Sequence, residues 1–296
     1  MKLLLLGGNG QVGRELRRSL APLGEVVVAT RDGADAAAVA DFDAPGTLAE
    51  LIARVAPDVV ANAAAYTAVD KAETDAAAAF RANAEAPAAI AQACAEAGAL
   101  LVHYSTDYVF DGSATRPYRE GDATAPLGVY GASKLAGEEA IRASGARHAI
   151  LRTAWVYAAH GRNFLLTMLR LANERDELRV VADQVGVPTP AAWIADATAE
   201  VIRRGVRESG TWHLVADGET SWHGFAEAIV EQAHALGFLP RKPRVTAIPA
   251  SAYPTPARRP AYSVLDTTNL RRDFAVVPPD WRDGLRATLQ ELATAG

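Results

Sequence analysis

Tyr130-Gly131-Ala132-Ser133-Lys134 sets a phenol and an ammonium four residues apart, one turn along a helix face. A phenol titrates near 10, so at neutral pH it is a poor proton donor or acceptor. A neighbouring cation favours phenolate and brings that value toward the working range. The pair therefore suits proton transfer to a carbonyl oxygen, with Tyr130 as donor and Lys134 beside it. With four lysines and eight tyrosines in 296 residues, chance supplies about 0.1 such spacings. The alternative is an exposed lysine above a packed tyrosine. A third member belongs at the end of the preceding strand, where the chain reads His103-Tyr104-Ser105-Thr106-Asp107-Tyr108. Ser105 or Thr106 would bond the substrate oxygen, or would cap the strand-to-loop turn.

A second constellation opens the chain. Leu3–Leu6 runs into Gly7-Gly8-Asn9-Gly10-Gln11-Val12-Gly13, a G-x-x-G-x-x-G pattern that begins a helix. Gly7 allows the tight turn, Gly10 the approach of a pyrophosphate, and Gly13 close packing of helix on strand. The helix N-terminus adds donors and the positive end of a dipole. This predicts a dinucleotide cofactor, whose oxidised nicotinamide would add to the cationic field on Tyr130 and whose ribose Lys134 would hold. The second strand ends Ala29-Thr30-Arg31-Asp32. Arg31 matches a 2′-phosphate and favours NADPH; Asp32 turned to the ribose would leave NADH possible.

These residues need elements to position them. Strand-like runs occur at Leu3–Leu6, Val26–Ala29, Val59–Asn62, Leu100–Tyr104, Ala149–Leu151, Arg179–Val181 and Trp212–Val215. Helical periodicity covers Gln11–Leu20, Thr47–Val55, Thr74–Ala97, Tyr130–Ala143 and Asn163–Arg175. The alternation predicts an α/β protein, a Rossmann-type doubly wound parallel sheet. Prolines concentrate beyond residue 186, which predicts a smaller, loop-rich substrate lobe with short helices such as Trp222–Leu236 and Asp283–Ala293. The expected division is a cofactor unit over 1–155 with a returning segment near 196–216, and a lobe over 156–195 and 217–296.

Half the residues are apolar and the formal net charge is -5. No basic field exists to attract nucleic acid or an acidic membrane. One cysteine, Cys94, excludes an internal disulfide framework and a Cys-based zinc site. The opening leucines are far short of a membrane span and no signal peptide follows, so a cytoplasmic location is expected. The histidines lack H-x-x-x-H spacing and read as structural or surface residues. Trp193, Trp212 and Trp222 read as core residues. Arg258-Arg259 would bind a diphosphate or stand as a solvated pair.

The glycine cradle, the Ser/Thr and the Tyr-x-x-x-Lys in this order resemble the extended short-chain dehydrogenase/reductases. Within them the chain is similar to the dTDP-4-dehydrorhamnose reductase family. The resemblance is carried by Gly10–Gly13, Asp41-Phe42, Asn62–Glu73, His103–Asp111, Tyr130–Glu138, Arg152–Tyr157, Asn163-Phe164, Asp183-Gln184, Trp212–Val215 and Ser251–Pro260. It implies that Gly10, Gln11 and Val12 wrap the pyrophosphate and Asp41 and Phe42 the adenine. Ala65, Tyr66 and Thr67 would line the middle of the cofactor, with Tyr104 and Lys134 at the nicotinamide half. Tyr130 would be the proton donor, adjusted by Thr106. Thr106, Asp107 and Trp155 would touch the deoxysugar nucleotide. The reaction implied is reduction of the 4-keto group of dTDP-4-dehydro-β-L-rhamnose to dTDP-β-L-rhamnose.

Two positions depart from the pattern. Thr30 stands where some members end the second strand with an aspartate, so the NADPH preference rests on Arg31. Some members dimerise through magnesium held by glutamates; Glu15 and Glu291 match two such positions, but Ala192 takes a third, and no metal is assigned. A monomer or a homodimer is expected. Two other readings remain at this point: another nucleotide-sugar epimerase, dehydratase or reductase of the superfamily, and a non-catalytic NADP-binding regulatory subunit.

Overall fold

Leu3, Leu4, Leu5 and Leu6 are all fully buried, and their alternation divides the molecule into layers. Leu3 and Leu5 face one side of a sheet, Leu4 and Leu6 the other. A strand apolar on both faces belongs inside a parallel sheet covered on both sides. The structure, a computed structural model, describes residues 1–295.

The strands are β1 (Lys2–Leu6), β2 (Glu25–Thr30), β3 (Ala38–Val39), β4 (Val59–Asn62), β5 (Leu100–Thr106) and β6 (His148–Thr153). They continue as β7 (Val156–Tyr157), β8 (Glu177–Val181), β9 (Val185–Gly186), β10 (Thr189–Pro190), β11 (Gly210–His213), β12 (Thr220–Ser221) and β13 (Arg244–Ile248). The helices of the first half are α1 (Gln11–Leu20), α2 (Gly46–Val55), α3 (Val69–Ala72), α4 (Ala76–Phe80), α5 (Ala86–Ala97) and α6 (Val129–Ala143). Those of the second half are α7 (Phe164–Glu174), α8 (Ala191–Arg204), α9 (Trp222–Ala235), α10 (Thr268–Phe274) and α11 (Trp281–Ala295).

Seven strands form one sheet in the order β11-β6-β5-β4-β1-β2-β3, and every pairing in it is parallel. This is the expected Rossmann-type doubly wound sheet. Strand order reverses between β1 and β4, which opens a crevice beyond their carboxyl ends. Side chains of α1, α8 and α10, such as Leu16, Ile194 and Phe274, cover one face. Leu48 and Ile52 of α2, Ile90 of α5 and Ile141 of α6 cover the other. A third core, around Tyr157, Leu165, Phe225 and Trp281, holds the second half together. Each fully buried leucine contributes roughly 1.5–3 kcal/mol relative to exposure.

The strand expected at Trp212–Val215 is β11, shifted two residues toward the N-terminus and paired with β6. The run Arg179–Val181 lies in β8, outside the main sheet, in a two-stranded pair with β13. The continuous helix expected over Thr74–Ala97 is interrupted by a π-helical stretch, Arg81–Glu85, between α4 and α5. An alanine-rich run gives no periodic signal of such a widening. Among the described residues no helix is long and apolar enough to cross a membrane.

Candidate active site

A cleft of about 690 Å³ lies beyond the carboxyl ends of β1, β4, β5 and β6. That volume falls within the range of small-ligand sites. Gly7, Gly10, Gln11 and Val12 form its floor at the start of α1, which has no acidic residue in its first turn. The positive end of the helix is thus left for an anion. Gly13 lies behind the cleft rather than in its lining. A Cβ there would meet Gly7 O at 2.0 Å, so its role is the close approach of helix to loop. The Arg17 side chain donates to Gly8 O (2.7 Å) and Asn163 donates to Gln11 Oε1 (2.8 Å), which stiffens the cradle.

Arg31 lines the far end. Its neighbour Asp32 accepts hydrogen bonds from Ala34 N and Thr30 Oγ1, and the backbone bond holds its carboxyl below the usual range. Phe42, Ala65 and Thr67 also line the cleft. Asp41 and Tyr66 do not. Asp41 accepts from Asp43 N in its own turn, and Tyr66 packs against the α2–α5 core with its hydroxyl toward Asp75. The backbone at Tyr66 is clamped at N and O by the Asn83 amide, which the π-helical stretch carries inward. Apolar Ala40, Ala63 and Ala64 complete this half. A small-residue wall, an anion cradle and a terminal arginine together fit a phosphorylated dinucleotide.

Tyr130, Lys134 and Thr106 meet at the other half of the cleft. The helix α6 that carries Tyr130 and Lys134 packs unusually close: a Cβ on Gly131 would stand 2.2 Å from Tyr108 O. Its position is also fixed by Glu138, fully buried and bound through both oxygens to Arg152 of β6 (2.9 and 2.7 Å). The Tyr130 phenol is pushed up to about 12 by burial, and the Thr106 hydroxyl opposes that rise. Lys134 is lowered to about 8 by burial, against the pull of Glu138. The lowering of the phenol by Lys134 expected from the spacing is not seen: burial raises the phenol, and Lys134 Nζ is turned to the sheet. It donates to Tyr104 O (2.6 Å) and lies 3.3 Å from His103 Nε2.

Tyr104 lines the cleft, with its hydroxyl held by Thr198 of α8 at 2.7 Å. Thr106 donates to Asp107 Oδ1 (3.0 Å) and accepts from Tyr108 N (3.2 Å). Burial raises the Asp107 carboxyl to about 6, opposed by the Ser263 and Thr106 hydroxyls. Of the two candidate hydroxyls Ser105 and Thr106, both line the cleft and only Thr106 influences the phenol. Trp155 stands at positive φ (46°) and stacks on Trp222 at 3.5 Å between centroids, the rings nearly parallel. Both indoles line the cleft. Thr153 Oγ1, also in the lining, is buried without a hydrogen-bond partner among the described residues, a polar atom that a ligand would satisfy.

Several lining residues escape sequence reasoning. Tyr108, edge-on to Tyr130 at 5.8 Å, ends the quoted His103–Tyr108 stretch but was given no role there. Arg162 and Trp222 come from the second half, and no local pattern announces them. Trp222 packs against the core around Phe225, as read, and also lines the cleft. Arg259 is not a solvated residue: it pairs with Asp70 (2.8 Å) and tethers the proline-rich loop to α3. Arg258 lines a small hollow beside Tyr130. Cys94 is buried and its thiol is pushed up to about 12, which removes it as a nucleophile. Glu15 bonds to His160 Nε2 at 2.8 Å, and among the described residues no group of three or more His, Cys, Asp or Glu is placed to hold a metal.

A model of the RmlD substrate binding domain matches residues 1–294. The dTDP-4-dehydrorhamnose reductase of Burkholderia thailandensis is 51% identical, with 99% of each chain covered. That of Escherichia coli K12 is 48% identical, again over 99% of both. Among solved structures, a dTDP-4-dehydrorhamnose reductase of Clostridium acetobutylicum superposes with a TM-score of 0.90 at 36% identity, covering 99% of this chain and 100% of its own. The Bacillus anthracis enzyme in complex with NADP gives a TM-score of 0.90 at 33% identity, covering 98% and 99%. With the cradle, the Tyr–Lys–Thr group and full-length similarity in agreement, the chain belongs to the dTDP-4-dehydrorhamnose reductase family.

Proposed function

We propose that the protein reduces the 4-keto group of dTDP-4-dehydro-β-L-rhamnose to dTDP-β-L-rhamnose, with NADPH as cofactor. The observation that carries this reading is one cleft holding a dinucleotide cradle at one end and Tyr130, Lys134 and Thr106 at the other. Gly7, Gly10, Gln11 and Val12 take the pyrophosphate, with Gly13 supporting the turn from behind. Phe42 takes the adenine, Ala65 and Thr67 the middle of the cofactor, and Arg31 the 2′-phosphate. The bound cofactor supplies a hydride. Tyr130 holds the proton for the developing alkoxide at its phenol oxygen, and Thr106 orients that phenol. Lys134 and Tyr104 support the nicotinamide half. Thr106, Asp107 and Trp155 hold the deoxysugar nucleotide. Asp41 and Tyr66 act through the backbone of their loops.

The test is stoichiometric. With NADPH and dTDP-4-dehydrorhamnose, one cofactor is oxidised for each sugar reduced. A redox-neutral product points instead to an epimerase or dehydratase, and cofactor binding without turnover to a regulatory subunit. We place the reaction in the cytoplasm, carried out by a monomer or a homodimer, which sedimentation distinguishes.

A further inference from the structure

Among the described residues three cations line the cleft, Arg31, Lys134 and Arg162. Arg31 stands at the adenosine end, and Lys134 is committed to Tyr104 O (2.6 Å). Arg162 has no part in the reaction above. It is exposed in the loop between β7 and α7, and among the described residues no carboxylate pairs with it. Both of its chain neighbours rest on Gln11, the first residue of α1 and a member of the cradle. The Asn163 amide donates to Gln11 Oε1 (2.8 Å), and a Cβ on Gly161 would lie 3.2 Å from Gln11 Cγ. The same amide donates to Ala158 O (2.9 Å) and His160 O (3.2 Å), while Asn163 Oδ1 caps α7 at Leu166 N (3.0 Å). His160 adds its bond to Glu15 of α1 (2.8 Å). The loop is therefore fastened to the start of α1 on both sides of Arg162. Its backbone is fixed and its guanidinium is left to the cleft.

Charge points the same way. Each phosphate of a pyrophosphate carries a negative charge, and the cradle answers with backbone donors and a helix dipole alone. Glu15, the only acidic residue of α1, is bound to His160 and Arg18, so it does not compete for Arg162. The two carboxylates of the lining are also engaged: Asp32 accepts from Ala34 N, and Asp107 accepts from Thr106 at the reaction end. A guanidinium stays charged at every working pH, and its planar fork matches a pair of phosphate oxygens. We propose that Arg162 is a cofactor-binding residue, which takes the pyrophosphate of the dinucleotide together with the cradle and so ties the β7–α7 loop to the bound cofactor. Because the loop is already fastened to α1, little ordering is needed when the cofactor arrives.

The test is a set of affinities measured by calorimetry. In Arg162→Met the Kd for NADPH is expected to rise roughly 10–100-fold, the loss of a charge-assisted contact. The Kd for 2′-AMP, which has the adenosine and 2′-phosphate but no pyrophosphate, is expected to stay within about twofold, as is that for dTDP, the diphosphate of the other substrate. Arg162→Lys keeps the charge without the fork and recovers part of the affinity. Asn163→Ser keeps an oxygen to cap α7 and removes the amide donor to Gln11; it is expected to weaken NADPH binding in the parent and to add little in Arg162→Met. Unchanged NADPH affinity in Arg162→Met overturns the proposal, as does an equal loss for 2′-AMP or a loss that falls on dTDP. The inference rests on the cofactor and not on the reduction. With these affinities as expected, absence of turnover refutes the proposed reaction and leaves the role of Arg162 standing.

Discussion

At Tyr130, burial raises the phenol to about 12, so between pH 6 and 9 it carries the proton that a reduction consumes. Tyr130→Phe keeps the ring and its edge contact with Tyr108 and removes only that proton. Cofactor affinity is expected to stay within about twofold while kcat falls about 10²–10⁴-fold; a cofactor titration and steady-state kinetics check both. At the other end of the cleft, Arg31→Asp is expected to raise KM for NADPH far more than for NADH, as parallel assays with the two cofactors will read. Asp107 carries a pH signature. Its folded-state value of about 6 lies above the ordinary 3.8, so the folded protein binds this proton more tightly than the unfolded chain. Its contribution is present at low pH and lost as pH rises from about 4 through about 6, by up to ~3 kcal/mol. Asp107→Asn is expected to lose that dependence, measured by urea unfolding at pH 4.5 and 7.

Among the elements, α6 bears the greatest demand for precision, since it must hold Tyr130 and Lys134 against β5. Its anchor is the buried Glu138–Arg152 pair. Arg152→Met leaves a buried carboxylate with only Arg142 at the rim, and a loss of about 3–5 kcal/mol is expected. The double variant Glu138→Leu/Arg152→Met is expected to be less destabilised than that single one, because neither charge is stranded. Denaturant unfolding of the set forms the check. The helix itself was readable from Tyr130 to Ala143, and so were β1, α1 and β4, because apolar period and a glycine turn mark them. The π-helical stretch was not, since Asn83 is set apart from its alanine neighbours by contacts to Tyr66 and Ser133, seventeen and fifty positions away. Asp41 and Tyr66 lie beside the cleft rather than in its lining, since a motif names positions whereas side-chain direction is set by local turns and packing.

Across the whole molecule, the second half completes the cleft with Arg162, Trp155 and Trp222. The proline-rich loop is held to α3 by Arg259 and Asp70. Arg259→Ala is expected to raise the KM for the sugar nucleotide several-fold with little change in cofactor affinity, as paired binding and rate measurements would tell. The doubly wound half followed from strand–helix alternation, whereas the lobe depends on contacts between distant segments and only its proline content announced it. The Trp155–Trp222 stack has a further consequence. Two indoles face to face at 3.5 Å share their electronic transitions, so their circular dichroism and emission depend on mutual distance and angle. One ring belongs to the segment after β6 and the other to the first turn of α9. Any movement of the lobe against the sheet therefore writes itself into the protein's own spectrum, and the approach of a sugar nucleotide is open to observation without a label.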